Sequence, residues 1–258
     1  MTIDTLTSGI DPSFGPAVAR TPRGLEAEVI VVCEHASNWI PPGLSDLGLD
    51  VHAKHSHIAW DPGALSVARL LADTLAAPLV EGCISRLVYD LNRPPESPTA
   101  IPETSEVFAV PGNRDLSDAA RAERVAAVYE PFRTALAEEI ASRAGKLRLL
   151  VTVHSFTPIY NGVPRDVELG LLHGRDDRFA IEMLARQPEG LAWDTRLNEP
   201  YSAVDGVAHT LDLHGCDNGL LNVMLEIRND LIATADQQKV WADALAPWIK
   251  TTLEEGFA

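Results

Sequence analysis

Five consecutive apolar residues, Val29-Ile30-Val31-Val32-Cys33, show no polar alternation and so predict a strand buried on both faces, as in a parallel sheet covered by helices. The run stops at Glu34-His35-Ala36-Ser37-Asn38. After Asp61-Pro62-Gly63-Ala64, apolar residues recur at Leu65, Val67, Ala68, Leu70, Leu71 and Leu75. That is helical spacing, with Asp61 as the expected N-cap and Pro62 at the first helical position. Pro78-Leu79-Val80 restarts an extended segment, and weak alternation from Ile84 to Leu91 ends in the proline-rich Asn92-Arg93-Pro94-Pro95-Glu96-Ser97-Pro98, which predicts a structured loop.

Leu116 to about Arg143 reads as one long helix capped by Ser117, kinked at Pro131 and ended by Gly145. Leu147 to Val153 and Leu221 to Ile227 repeat the buried-strand signature. Glu168 to His173 resembles a further strand, followed by a helix-like Asp177 to Arg186, and a last amphipathic helix is expected from about Asp230 to Leu253. Strand and helix alternate without internal repeats, which predicts an α/β fold, a three-layer sandwich around a mostly parallel central sheet. Residues 1–24 lack apolar periodicity and read as an N-terminal arm, leaving 25–258 as a single domain. In such a sheet, sites form outside the carboxyl ends of the strands.

Charge narrows the partners. Lys and Arg total 21 against 37 Asp and Glu, a formal net charge of −16, which repels a phosphate backbone and argues against nucleic acid. No stretch approaches the roughly 20 apolar residues of a membrane helix, and the N-terminus lacks a signal-peptide layout, so a cytoplasmic protein with no membrane partner is expected. Three cysteines, Cys33, Cys83 and Cys216, without CxxC spacing give neither a disulfide framework nor a zinc knuckle. Any metal would therefore be held by His and carboxylate.

Titratable groups stand where the apolar runs stop: Glu34-His35 after the first strand, His154 after the middle strand and Glu226 inside the last. Two imidazoles and one carboxylate are a common zinc set that leaves a coordination position open for water. His35 and His154 are the imidazoles. Asp61, at a strand-to-helix loop, is the preferred carboxylate and Glu34 its competitor, while the bland reading of Asp61 is a helix cap alone. His52, His55 and His57 lie in a polar, loop-like segment and read as a solvated face, with His57 a minor metal candidate. Glu226, embedded in Val223-Met224-Leu225-Glu226-Ile227-Arg228, is either a functional base or half of a buried ion pair with Arg228 or Arg86. Strand alternation puts Arg228 on the same side as Glu226, where one would activate water and the other hold a substrate anion. Arg86 and Arg93 suit a substrate carboxylate better than lysine would.

Taken together, Cys33-Glu34-His35-Ala36-Ser37-Asn38, Asp61-Pro62-Gly63-Ala64, Arg86 through Arg93, Val153-His154-Ser155-Phe156 and Leu225-Glu226-Ile227-Arg228 resemble the N-formylglutamate amidohydrolase family, from about residue 28 to about residue 250. Asn198-Glu199-Pro200-Tyr201-Ser202 with Asp205-Gly206-Val207 looks like that family's later substrate-loop region. The resemblance implies a zinc-exopeptidase type of fold, a small-molecule N-acyl amino acid as substrate, and hydrolysis of N-formyl-L-glutamate to formate and glutamate in histidine degradation. It also implies Zn2+, which another divalent ion can replace. Asp90-Leu91-Asn92-Arg93 is similar to the aspartoacylase segment whose Asn and Arg hold a substrate carboxylate, which supports Asn92 and Arg93 in that role. The order His, acid, His, Glu is similar to zinc-dependent cell-wall amidases and favours Asp61 as the acidic ligand. The aspartoacylase pattern His-x-x-Glu is absent, since Asn38 is the third residue after His35.

The implied scheme has the metal on His35, Asp61 and His154, Glu226 moving the proton, and Arg86, Asn92 and Arg93 holding carboxylates. Two readings compete with it. One is a serine hydrolase using Ser37 or Ser155 beside His35 or His154, although no GxSxG elbow is present. The other is a non-catalytic module that binds an acidic amino-acid derivative.

Overall fold

The computed structural model describes residues 14–202 and 206–257. Eleven strands are found among them: β1 (Val18–Thr21), β2 (Val29–Cys33), β3 (Leu79–Gly82), β4 (Thr104–Ser105), β5 (Phe108–Ala109), β6 (Leu149–Phe156), β7 (Ile159–Tyr160), β8 (Val163–Pro164), β9 (Leu169–Leu172), β10 (Thr195–Leu197) and β11 (Leu221–Arg228). The α-helices are α1 (Val51–His55), α2 (Ala64–Thr74), α3 (Asp118–Arg124), α4 (Glu130–Ala141), α5 (Arg178–Ala185) and α6 (Ala235–Gly256). Seven strands form one sheet in the order β1-β3-β2-β6-β11-β9-β10. Its centre, β3-β2-β6-β11, is parallel, while β1 and β9 pair antiparallel with their inner neighbours.

The buried runs explain the layers. Alternate residues Val29, Val31, Val151, Val153, Val223 and Leu225 face a core shared with Val67 and Leu71 of α2, Phe179 of α5, and Trp241, Leu245 and Trp248 of α6. The residues between them, Ile30, Val32, Leu150 and Met224, face a second core with Val128, Phe132 and Leu136 and the loop residues Ile84, Leu87 and Tyr89. Both faces of the sheet are thus covered, which is why its central strands read as unbroken apolar runs.

Three local expectations are corrected. Residues 1–13 of the predicted arm lie outside the described residues, but from Phe14 onward the chain is not an arm. Phe14, Ala17 and Val18 are buried, and β1 closes the sheet edge against β3. Four residues among Gly and Pro are too short to show a period. The predicted long helix runs unbroken from α3 through α4, but in place of a simple kink at Pro131 it carries a π-helical turn at Val125–Tyr129. The widened turn accommodates the loss of the hydrogen bond that Pro131, without a backbone N–H, cannot make. Ser117 does cap α3, accepting from the Ala120 N–H at 3.2 Å.

The third correction matters for the site. Asp61 does not cap α2; Gly63 occupies that position with φ +83°. A Cβ on Gly63 would meet the Ile232 carbonyl oxygen at 2.5 Å, so glycine is required both by conformation and by space. This turn leaves the Asp61 side chain outside the helix.

A buried histidine that the sequence does not single out gives a first expected outcome. Burial pushes His214 from the ordinary 6.5 down to about 4, with His209 adding to the effect. Between those two values the unfolded chain binds the proton and the folded chain does not, so stability falls as pH drops through 6.5 toward 4. Between about pH 7 and about pH 5 this one group is expected to remove about 2 kcal/mol. Urea unfolding of His214→Gln at both pH values should show a slope shallower than wild type by that amount; an identical slope would dismiss the role.

Candidate functional site

The chain leaves β2 for α2 and β3 on one side, while β6 continues the sheet toward β11 on the other, so the switch in strand order lies between β2 and β6. Three of the predicted side chains meet there. His35 follows the end of β2, His154 lies near the carboxyl end of β6, and Asp61 reaches in from the loop before α2; all three are buried and present ligand atoms within 4.8 Å of one another. His154 Nδ1 lies 2.8 Å and His35 Nδ1 3.3 Å from the same Asp61 Oδ2, and the two nitrogens are 3.2 Å apart.

The far side of each ring is equally ordered. His35 Nε2 lies 2.7 Å from Asp90 Oδ1, and His154 Nε2 lies 3.1 Å from Glu34 Oε2. Behind His35 the Asp90 carboxylate holds the proton on Nε2 and turns the Nδ1 lone pair forward, the arrangement metal-binding histidines use, while Glu34 stands behind His154 at ion-pair distance. Glu34, the competing acidic ligand, is therefore placed behind His154 and not among the converging atoms.

The electrostatics favour positive charge at this point. Burial would lower the His154 pKa, but Glu34 and the hydrogen bond to Asp61 hold it well above the ordinary value. Burial and Arg86 act likewise on His35, and Asp90 and Asp61 outweigh them. Asp61 and Asp90 would be raised by burial, yet His35 and Arg86 respectively lead the groups that hold them low. Two forward nitrogens and a carboxylate oxygen, backed by two further carboxylates, fit a divalent cation with N/O preference.

Glu226 stands beside this cluster because β11 and β6 run in parallel register, with Glu226 opposite His154. It is buried, and its Oε2 has no hydrogen-bond partner among the described residues. Burial, with the Asp61 charge added, raises it to about 7 against the pull of His154 and Arg86. Neither of the anticipated ion pairs forms. Arg86 instead donates to Asp90 at 2.9 Å and Asp61 at 3.4 Å, and Arg228 faces Asp230 at 2.9 Å and the backbone of Arg165 and Asp166.

A cavity of about 520 Å³ opens over the cluster, lined by His35, Asp61, His154 and Glu226 together with Arg86, Asn92 and Arg93. Arg228 is not among its lining residues, a correction to its expected place beside substrate. Asn92 lines the cavity but its amide is already used, accepting from the Thr210 N–H and donating to the Val207 carbonyl. Its placed role is to staple that segment. Arg93 lies 3.8 Å from Asp90. Asp205 of the expected later loop lies outside the described residues.

Of the early histidines, His52 and His55 are exposed as expected, whereas His57 lines the cavity with its Nε2 2.8 Å from Glu106 Oε2. Glu106 Oε1 also accepts from the Asn161 N–H, so one carboxylate ties the β4–β5 turn to the β7–β8 turn at the mouth. A serine nucleophile is not assembled: Ser155 Oγ donates to the Pro62 carbonyl and Ser37 Oγ accepts from the Trp39 N–H. Asp90, Arg165 and Tyr201 also line the cavity and were not singled out by sequence. Asp90 and Tyr201 carry a signal, their positions inside the Asp90-Leu91-Asn92-Arg93 run and the Asn198-Glu199-Pro200-Tyr201-Ser202 segment; Arg165 carries none.

Tyr201 comes within reach because of a missing side chain. Gly170 of β9 sits opposite Glu226, and a Cβ there would collide with the Glu199 carbonyl oxygen two residues before Tyr201. No helix among the described residues is long and apolar enough to cross a membrane.

Comparison with known proteins bears on the family and the fold. The family model for N-formylglutamate amidohydrolase matches residues 27–233. The chain is similar to the crystal structure of the Atu2144 gene product from Agrobacterium tumefaciens, with 47% identity, a TM-score of 0.90, and coverage of 97% of this chain and 100% of that one. It shares its fold with the N-formylglutamate amidohydrolase from Ralstonia eutropha JMP134 at 16% identity and a TM-score of 0.55, covering 91% of this chain and 98% of that one. A comparison with curated proteins gave no match.

Proposed function

Because the chain belongs to the N-formylglutamate amidohydrolase family and is thus a hydrolase of amide bonds, we propose that it cleaves an N-acyl acidic amino acid, with N-formyl-L-glutamate as the first substrate to test, by a metal-dependent route. The observation that carries the reading is the convergence of His35 Nδ1, His154 Nδ1 and Asp61 Oδ2 beside a buried Glu226 inside one cavity.

His35, Asp61 and His154 would hold the ion, with zinc as the metal suited to this donor set. When bound, it supplies a Lewis acid for the amide carbonyl and lowers the pKa of water. The remaining work belongs to the chain. Asp90 fixes the His35 ring through a hydrogen bond to its distal nitrogen, and Glu34 places negative charge behind His154. Glu226, held at about 7, accepts the proton of the attacking water and delivers it to the departing amine nitrogen. The Arg86 guanidinium, braced by Asp90 and Asp61, adds positive charge at the cavity wall. The reaction yields the carboxylate of the acyl group, formate in the proposed case, and the free amino acid.

The test is release of free amine from N-formyl-L-glutamate, with N-acetyl and longer acyl analogues alongside. Dialysis against a chelator is expected to reduce turnover at least about 100-fold, and one equivalent of Zn2+ to restore it. Full activity in metal-free protein would contradict the scheme.

A further inference from the structure

Three guanidinium groups border the cavity, and they differ in what they face. Arg86 and Arg93 both face Asp90. Arg165, in the loop after β8, pairs with no carboxylate among the described residues, although acidic side chains outnumber basic ones 37 to 21 in this chain. Its Nη1 donates to the Tyr201 hydroxyl at 3.0 Å and to the Thr157 carbonyl at 3.4 Å. The Nε and Nη2 donors, the edge that takes a carboxylate in bidentate fashion, have no partner among the described residues.

The group is also held in place. Its Cζ lies 4.5 Å from the Tyr160 ring centroid, 4.8 Å from that of Tyr201 and 5.7 Å from that of Phe156. Three rings flank the half-buried cation and restrict its plane, so a carboxylate reaching it meets a preorganised fork. The Tyr201 hydroxyl accepts from Arg165, which leaves its own proton to donate. Burial and the nearby Glu226 raise that hydroxyl to about 12, so the proton stays on.

We propose that Arg165, framed by Phe156, Tyr160 and Tyr201, is the carboxylate-selecting residue of this site and makes the enzyme specific for an acidic acyl amino acid. The inference rests on the amidohydrolase reading above and deepens it. The carboxylate belongs either to the substrate's side chain or to its α-carbon, and amide analogues separate the two.

Steady-state kinetics would compare N-formyl-L-glutamate, N-formyl-L-glutamine and the α-amide of N-formyl-L-glutamate on wild type, Arg165→Met and Arg165→Lys. Arg165→Met is expected to raise KM for the acid about 10- to 100-fold with kcat little changed, matching loss of a charged hydrogen-bonded pair. Its preference for acid over one amide should vanish: over the glutamine analogue if the side-chain carboxylate is held, over the α-amide if the α-carboxylate is held. Arg165→Lys should lie between, since it keeps charge but loses the fork. Tyr201→Phe should weaken the preference a few-fold, and thermal unfolding would check that each variant is folded.

A purely structural role for Arg165 would raise KM for acid and amides alike, and that result overturns the inference, as does an unchanged KM. Calorimetric binding of L-glutamate gives a readout independent of turnover. Affinity 10- to 100-fold weaker in Arg165→Met supports the anchor, while equal affinity, or no binding by wild type, refutes it. A wild type that binds glutamate but cleaves no N-acyl amino acid would refute the proposed reaction and leave the anchor standing.

Discussion

Glu226→Gln is expected to lower kcat for amide hydrolysis by about 1,000-fold, within the 100- to 10,000-fold range of general acid–base catalysis, while leaving metal content and fold intact. Glutamine fills the same volume opposite His154 on the neighbouring strand, but its amide cannot accept the water proton. It also removes a buried carboxylate whose Oε2 has no hydrogen-bond partner among the described residues, so the thermal midpoint should hold or rise. Steady-state kinetics, elemental metal analysis and a melting curve are sufficient. Retention of wild-type kcat would remove Glu226 from the chemistry, and loss of the metal would make it part of the metal's support.

The second large effect concerns the acidic member of the cluster. Asp61→Asn should weaken Zn2+ binding by at least about 100-fold and abolish turnover at stoichiometric metal. Loss of an outer-shell partner alone typically costs 10- to 100-fold, and Asp61 Oδ2 is the atom on which both Nδ1 nitrogens converge. Asp90→Asn, which reaches the cluster through the far nitrogen of His35 and through Arg86, is expected to stay within that 10- to 100-fold range. Chelator competition measures both. Undiminished affinity in Asp61→Asn, with loss in Glu34→Gln, would transfer the ligand role to Glu34.

The difference between what was readable in the sequence and what was not has physical causes. The strands carrying His35, His154 and Glu226 announce themselves because burial on both faces demands unbroken apolar runs, and a charge at the end of such a run stands out. Asp61 reaches the site for a reason other than the helix capping its sequence context suggests: Gly63, not Asp61, caps α2, and it is the freedom from capping that lets the carboxylate turn inward. Arg228 misled because strand alternation fixes a face but not whether a long side chain bends toward Asp230. Arg165 and Tyr201 lie on loops with no period to read. What distinguishes Arg165 is that it lies among the Tyr160 and Tyr201 rings and pairs with no carboxylate among the described residues, a property of the folded chain that no linear pattern encodes.

Gly170 sets a limit on how this scaffold can diversify. Because the space of one methyl group in β9 is already occupied by the Glu199 carbonyl, enlarging residue 170 would push the Tyr201 loop away from Glu226 and Arg165 together, changing recognition and proton transfer in a single step. Engineering for new acyl amino acids therefore has room in the loop residues themselves and almost none in the strand beneath them.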